Sequence, residues 1–268
     1  MRKNDLVSIK PLIRIICRKP PELGAISTIE DNVEAENAAG EIIAFTDRVP
    51  FCGLDCEWVG NNRTALLQIS VFNDKEGFKC YLFRLCKLDE RPMPLLHHLL
   101  NSESVIKLGV GIDGDFKRLV TEGYVAAGNQ SFLDLRFLAV HSPTCEPGGL
   151  AALVRQVLKR KLDKDWRIRA SNWEENELTQ RQMIYAADDS LSALQTFAVF
   201  MDELGEEKTL KLVQTHLNSV FKGKQKAKQL KTKEEQLHDK VHKRIQNHSN
   251  FEDQIKSYAT RKAPLYDR

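Results

Sequence analysis

Between Phe51 and Phe83 the chain alternates apolar and polar residues in three short runs, and beyond Leu95 that rhythm changes. The first run is Phe51-Cys-Gly-Leu-Asp-Cys-Glu-Trp-Val59, followed by a turn of Gly60, Asn61 and Asn62. Ala65 to Phe72 and Lys79 to Phe83 are split by the turn-like Asn73 to Gly77. Period-2 runs on tight turns predict an antiparallel meander. The later pattern is different. Leu95 to Leu100 reads as a helix, Val105 to Val110 as a strand, Asp115 to Glu122 as a helix and Phe132 to Leu135 as a strand. Leu150 to Leu158 and Thr179 to Met201 then read as helices. Strand–helix alternation after a meander predicts an α/β fold, a mixed sheet of meander and then parallel strands, flanked by helices. Ahead of it, Ile26 to Ile29 is a short edge strand and Asn32 to Ala44 a helix capped by Asp31 or Asn32.

The rest of the chain divides around this block, with no internal repeat. Residues 1–24 read as a flexible leader closed by Pro20 and Pro21, residues 25–205 as one domain, and residues 206–268 as a Lys-rich charged tail. No apolar run is long enough to cross a bilayer. Leu6 to Lys19 has no cleavage site after an apolar core, so a secretory signal is not expected. Its basic, acid-poor composition leaves a mitochondrial presequence as the alternative to a plain leader. The cysteines, Cys17, Cys52, Cys56, Cys80, Cys86 and Cys145, include no paired Cys-x-x-Cys units, which argues against a zinc ribbon or finger. Reduced thiols predict an intracellular home, nucleus or mitochondrion. The net charge of +3 hides an asymmetry: Lys208 to Arg268 holds 15 Lys and Arg against 6 Asp and Glu, leaving a net of −6 on the remainder. A basic tail on an acidic body suits a polyanion partner, although by itself it reads first as a solvated, charged helix.

Chemistry concentrates in the acids. Asp55 and Glu57 lie two apart on a strand, so they share one face, roughly 6–7 Å apart along it, while Leu54, Cys56 and Trp58 take the other. Like charges side by side are unfavourable unless something positive sits between them, and a divalent cation would serve. In Gly109-Val-Gly-Ile-Asp-Gly-Asp115, a strand ends in a Gly-rich turn that opens a helix. Asp113 suits its N-cap, and Asp115 is placed to reach over the sheet towards Asp55. In Tyr185-Ala-Ala-Asp188-Asp189, Thr179 and Gln182 form a capping box ahead of the helix, and Ile184, Ala187, Leu191, Leu194 and Ala198 make its buried stripe. Tyr185 and Asp189, four apart, stack on a neighbouring face; Asp188, a quarter-turn away, is the rival ligand.

Asp-x-Glu on a strand, an Asp after Gly-x-Gly-x-x-Gly and Tyr-x-x-x-Asp on a late helix resemble the three motifs of the DEDD 3′–5′ exonuclease superfamily. The branch is the tyrosine one, which includes ribonuclease D and the Werner-syndrome exonuclease domain. The histidine branch would need His where Ile184 stands. The resemblance implies a ribonuclease-H-like sheet with Asp55, Glu57, Asp115 and Asp189 as metal ligands and Tyr185 as the fifth catalytic residue. The family's four-residue spacing selects Asp189 over Asp188. Leu66-Leu-Gln-Ile69, Asp134-Leu-Arg136 and Ser171-Asn-Trp173 are similar to segments between the motifs of animal members. Ser257 to Asp267 looks like a linker of the animal exonuclease 3′–5′ domain-containing protein 2 family, in which a Cys-bearing HNH-like region follows, so a short form is expected. That group often begins with a membrane anchor, which is not found here.

The implied activity is removal of nucleotides from DNA or RNA 3′ ends with two Mg²⁺ or Mn²⁺ ions, releasing nucleoside monophosphates. Stabilising charge on the phosphorane-like oxygens supplies most of a barrier reduction of well over ~10 kcal/mol. Two ions about 3.5–4 Å apart can clamp the attacking water and the leaving oxygen, and hard cations want oxygen ligands. By the family pattern Asp55 bridges the ions, Glu57 and Asp189 complete one site, and Asp115 the other. Tyr185 orients or helps deprotonate the water. Substrate contacts are expected from Gln68 and from the basic loop Lys159 to Arg169, with Lys164, Arg167, Arg169 and Trp166 gripping phosphate or stacking a base. Two rivals stand beside this reading. One is a nucleic-acid-binding scaffold that has lost turnover and uses the tail for affinity. The other, a dehydrogenase built on Gly109-x-Gly-x-x-Gly114, lacks an acid at the required strand end and leaves the other acids without a role.

Overall fold

The computed structural model describes residues 19–73, 77–89 and 93–217. The compact unit discussed below is Met1–Leu217; a second, Asn218–Arg268, lies outside the described residues. With it go the expectations for Lys222 to Lys243 and Ser257 to Asp267. Residues 1–18, including Cys17, also lie outside.

A single 3₁₀ turn, Leu23–Ala25, leads into β1, Ile26–Ile29. Helix α1, Asn32–Thr46, is capped by Asp31, whose carboxylate accepts from the Glu34 amide. Three strands follow: β2, Phe51–Trp58; β3, Thr64–Asn73; and β4, Gly77–Phe83. After helix α2, Pro94–Asn101, the chain forms β5, Ile106–Gly109, helix α3, Asp113–Thr121, and β6, Phe132–Asp134. The short helices α4, Arg136–Ala139, α5, Leu150–Leu153, and α6, Trp166–Arg169, precede the long α7, Gln180–Leu204. Residues 206–217 are helical again, beyond Gly205 at φ 84°, with Thr209 and Val213 buried.

The strands make one six-stranded sheet in the order β1-β4-β3-β2-β5-β6. The β2–β3–β4 meander is antiparallel, while β1–β4, β2–β5 and β5–β6 are parallel. The mixed sheet expected from the change of periodicity is the sheet found. Alternation on β2 divides its side chains between two cores. Cys52, Leu54 and Cys56 join α1, α2 and α3 on one face. Phe51 packs against Phe197 of α7 on the other, with ring centroids 4.5 Å apart.

Helix α7 begins with the expected capping box: the Thr179 hydroxyl faces the Gln182 amide, and Gln182 Oε1 accepts from the Thr179 amide. It departs from the expected stripe. Every residue from Tyr185 to Met201 is buried, whereas Ile184 is only half-buried. The helix packs on β2, β3, β4 and β5 and is also covered by α5 and the turn after it, so it has no solvent face there. The stretch expected as one helix from Leu150 to Leu158 passes from α5 into a π-helical turn, Val154–Leu158. That turn ends at Lys159, which takes the left-handed φ of 56° and sends the chain into the basic loop. Asp113 also differs from expectation. It is the first residue of α3, makes no cap, and instead pairs with Lys117 one turn on, at 2.5 Å.

Gly53 sets the distance between β2 and α7. A Cβ there would lie 1.8 Å from the Ser190 carbonyl oxygen, a backbone atom that cannot rotate away. Beside this contact the Ser70 and Ser190 hydroxyls hydrogen-bond at 2.7 Å in the buried interface. Gly53→Ala is therefore expected to push the helix off the strand and destabilise the fold by about 2 kcal/mol. Chemical denaturation measures this, and a wild-type midpoint would contradict the close approach.

Candidate active site

The same close approach brings the acids together. Ser190 presses on Gly53, so Asp189, one residue earlier, comes beside Asp55, two residues further along β2. Oxygens of Asp55, Glu57 and Asp189 all lie within 4.8 Å of one another. A register shift between Glu57 and Trp58 ends the ladder at this point. Asp115 arrives from the first turn of α3. The preceding turn needs Gly111 at φ 77°, a conformation L side chains rarely adopt, and the Gly111 amide donates to Asp134 Oδ2 on β6. Asp115 lines the same cavity but stands outside the 4.8 Å cluster.

The cavity measures about 550 Å³ and is lined by Asp55, Glu57, Asp115, Tyr185 and Asp189 together with Trp58, Arg136, Lys164 and Arg169. Its acids are poorly hydrated: Glu57, Asp115 and Asp189 are at most 9 % exposed. Burial, with mutual repulsion, lifts Asp55 and Asp189 to about 7 and Glu57 to about 9; burial lifts Asp115 to about 7. Such a group is short of positive charge. Its donors are all hard oxygens, which fits a divalent cation such as Mg²⁺ or Mn²⁺.

Tyr185 is buried beside them, its ring next to Trp173 with centroids 6.1 Å apart and beneath the Lys164 ammonium at 5.4 Å. Its hydroxyl has no hydrogen-bond partner among the described residues. Burial first, then the charges of Asp189, Glu57 and Asp55, push this phenol well above its ordinary range. It keeps its proton and is a donor. The rings are held because Trp173 Nε1 donates to the Arg169 carbonyl and Gln182 Nε2 donates to Ser171 Oγ, which fastens the loop to the start of α7.

The basic loop divides its work in a way that spacing along the chain does not reveal. Arg160 makes a bidentate pair with Asp188 at 2.6 and 2.9 Å and also donates to Ser192 and Gln195. Asp188 therefore points away from the cluster, into a site of its own. Lys164 Nζ lies 2.8 Å from both oxygens of Asp189. Arg169 lines the cavity, whereas Arg167 is solvent-exposed and paired with Asp165. Trp166 is 73 % exposed. Gln68 sits opposite Asp55 on β3 but is wholly buried and does not line the cavity; its amide has no partner among the described residues. Trp58, assigned to the strand face opposite the acids, is half-buried, lines the cavity and stacks under the Arg118 guanidinium at 4.1 Å.

A 3'-5' exonuclease family profile matches residues 27–205, the whole sheet and α7. The chain belongs to the 3′–5′ exonuclease family, of the DEDD type, which the acids and the sheet had indicated. Within that family it is similar to Exonuclease 3'-5' domain-containing protein 2 of Drosophila melanogaster, with 43% identity over 146 residues, 53% of this chain and 24% of the relative. The human protein of that name is 32% identical over 189 residues, 67% of this chain and 29% of the relative. The chain thus spans about a quarter of the length of these curated relatives. Among solved structures, the Aedes aegypti Nibbler EXO domain superposes with a TM-score of 0.61 at 20% identity, covering 75% of this chain and 97% of that one. Escherichia coli RNase D gives 0.56 at 21%, covering 73% and 50%. At those identities the likeness is one of fold.

Proposed function

We propose that this chain is a metal-dependent 3′–5′ exonuclease that hydrolyses phosphodiester bonds at nucleic-acid 3′ ends and releases nucleoside monophosphates. The observation that carries this is the convergence of Asp55, Glu57 and Asp189 within 4.8 Å at a cavity that Asp115 and Tyr185 also line. Asp55, Glu57 and Asp189 would hold one divalent ion, and Asp55 with Asp115 a second. Bound there, Mg²⁺ or Mn²⁺ would acidify water and stabilise charge on the phosphoryl oxygens. The chain's own groups do the rest. The Tyr185 hydroxyl, protonated and unpartnered, donates to the attacking water or to a phosphoryl oxygen and fixes its approach. Arg169 and Lys164, which line the cavity, supply positive charge to the phosphate. A cavity of about 550 Å³ suits a terminal nucleotide and its phosphate rather than an internal stretch of duplex.

The reading is tested with purified protein and end-labelled DNA and RNA oligonucleotides in Mg²⁺, Mn²⁺ or EDTA. A ladder shortening from the 3′ end, present with metal and absent in EDTA, is the expected result. Metal-independent binding that weakens steeply with salt, with no nucleotide released, would favour the scaffold instead. Tyr185→Phe is expected to slow turnover about 10²-fold while leaving Mn²⁺ affinity unchanged. Full activity in that variant removes Tyr185 from the reaction.

A further inference from the structure

Lys164 occupies the position where the acid cluster most needs a cation. Its ammonium bridges both oxygens of Asp189 at 2.8 Å, and Asp189 is itself 3 % exposed. Among the described residues no other cationic side chain hydrogen-bonds to Asp55, Glu57 or Asp189.

This placement is built rather than incidental, because the segment around Lys164 is tied to α7 on both sides. Upstream, Arg160 grips Asp188. Immediately on either side of Lys164, Asp163 and Asp165 pair with Arg181 of α7 at 3.2 and 2.9 Å, and Asp165 caps α6 through the Arg167 amide. Arg160, Asp163, Asp165 and Arg167 are thus committed to one another or to α7, Arg169 lines the cavity, and it is Lys164 that reaches the clustered acids. From that same position its ammonium also lies over the Tyr185 ring, 5.4 Å from the centroid, a second and weaker contact inside the same cavity.

We infer that Lys164 is the resident counter-ion of the carboxylate cluster, that it holds Asp189 in place until a metal ion takes over, and that it then serves the substrate phosphate from its place over the Tyr185 ring. The physical basis is competition. A monovalent ammonium on a flexible stem stabilises the acids without meeting the coordination demands of a dication, so it yields to one at a cost in apparent affinity. Lys164 therefore tunes how much metal the site requires, and its release on loading places a positive charge beside the phosphate only when the metal is present. The inference rests on the metal-dependent reading above, and its test separates the two.

Mn²⁺ binding is measured by calorimetry and electron paramagnetic resonance on the full chain and on Lys164→Met and Lys164→Arg, with thermal melts in EDTA and in Mn²⁺. Lys164→Met is expected to bind Mn²⁺ about tenfold more tightly than wild type. It should melt lower in EDTA, and the gap should close in Mn²⁺. Lys164→Arg, which keeps the charge, should retain affinity close to that of wild type. Should Lys164→Met not fold in EDTA, Lys164→Gln purified in Mn²⁺ and then titrated gives the same comparison. Equal or weaker Mn²⁺ affinity in the folded neutral variants, with wild type binding normally, overturns the role of Lys164 and leaves the exonuclease reading standing. No Mn²⁺ binding by any form overturns both.

Discussion

Asp55→Ala is expected to abolish nucleotide release, a loss of at least about 10³-fold, with the fold retained. Asp55 shares the 4.8 Å cluster with Glu57 and Asp189, and its charge also acts on both of them. Removing it takes away a donor that both proposed ions would need. The same substitution should raise stability in EDTA, and the pH dependence gives the sign. These acids titrate near 7 to 9 in the folded protein but near their ordinary values of 3.8 and 4.5 when unfolded. As pH rises from about 4, the unfolded chain gives up these protons while the folded chain holds them, so stability falls until the folded values are passed. Without metal, wild type is therefore much less stable, with respect to these groups, at pH 8 than at pH 4, and least stable above about 9. Asp55→Ala removes one such group and eases its neighbours. Its melting temperature in EDTA should exceed that of wild type at pH 8, with the difference shrinking towards pH 4. A lower melting temperature at pH 8 would mean that the cluster is not strained without its cation.

The neighbouring aspartates should part company just as clearly. Asp189→Ala is expected to lose turnover and Mn²⁺ binding while remaining folded, because its partner Lys164 is 37 % exposed and can return to water. Asp188→Ala should keep measurable turnover but lose about 3 kcal/mol of stability, because it strands a guanidinium in the interior. Arg160 is 12 % exposed, and only the neutral Ser192 and Gln195 would still accept from it. Denaturation and single-turnover assays on both variants decide this. An inactive, fully stable Asp188→Ala beside an active Asp189→Ala would reverse the assignment.

Much of this was legible along the chain, because the signals were local. The alternation of Phe51 to Trp58 places Asp55 and Glu57 on one face by the pleat alone. The N-cap at Asp31 and the capping box at Thr179 need only three or four consecutive residues. The Gly-rich turn before Asp115 carries its own conformational demand at Gly111. Where local signals competed, they were read less well. Asp113 suits an N-cap as a residue type, yet α3 starts one residue earlier than a cap there would allow, and an ion pair to Lys117 takes the carboxylate. The apolar stripe assigned to α7 assumes a helix with a wet side; this helix has none from Tyr185 to Met201, so periodicity carried little information there.

What the sequence determined by itself was therefore the order and type of the six strands and the longer helices and the strand face that holds the first two acids, since these follow from backbone periods of two and 3.6. What only the tertiary structure decided was which charges meet. Arg160 and Asp188 are 28 residues apart and Lys164 and Asp189 25 apart, both joined because the loop after Lys159 folds back along α7. The choice between Asp188 and Asp189, the burial of Gln68 and the burial of the Tyr185 hydroxyl depend on the same packing. It is set where Gly53 lets the Ser190 carbonyl approach β2, and no local propensity encodes a contact between backbones so far apart in the chain.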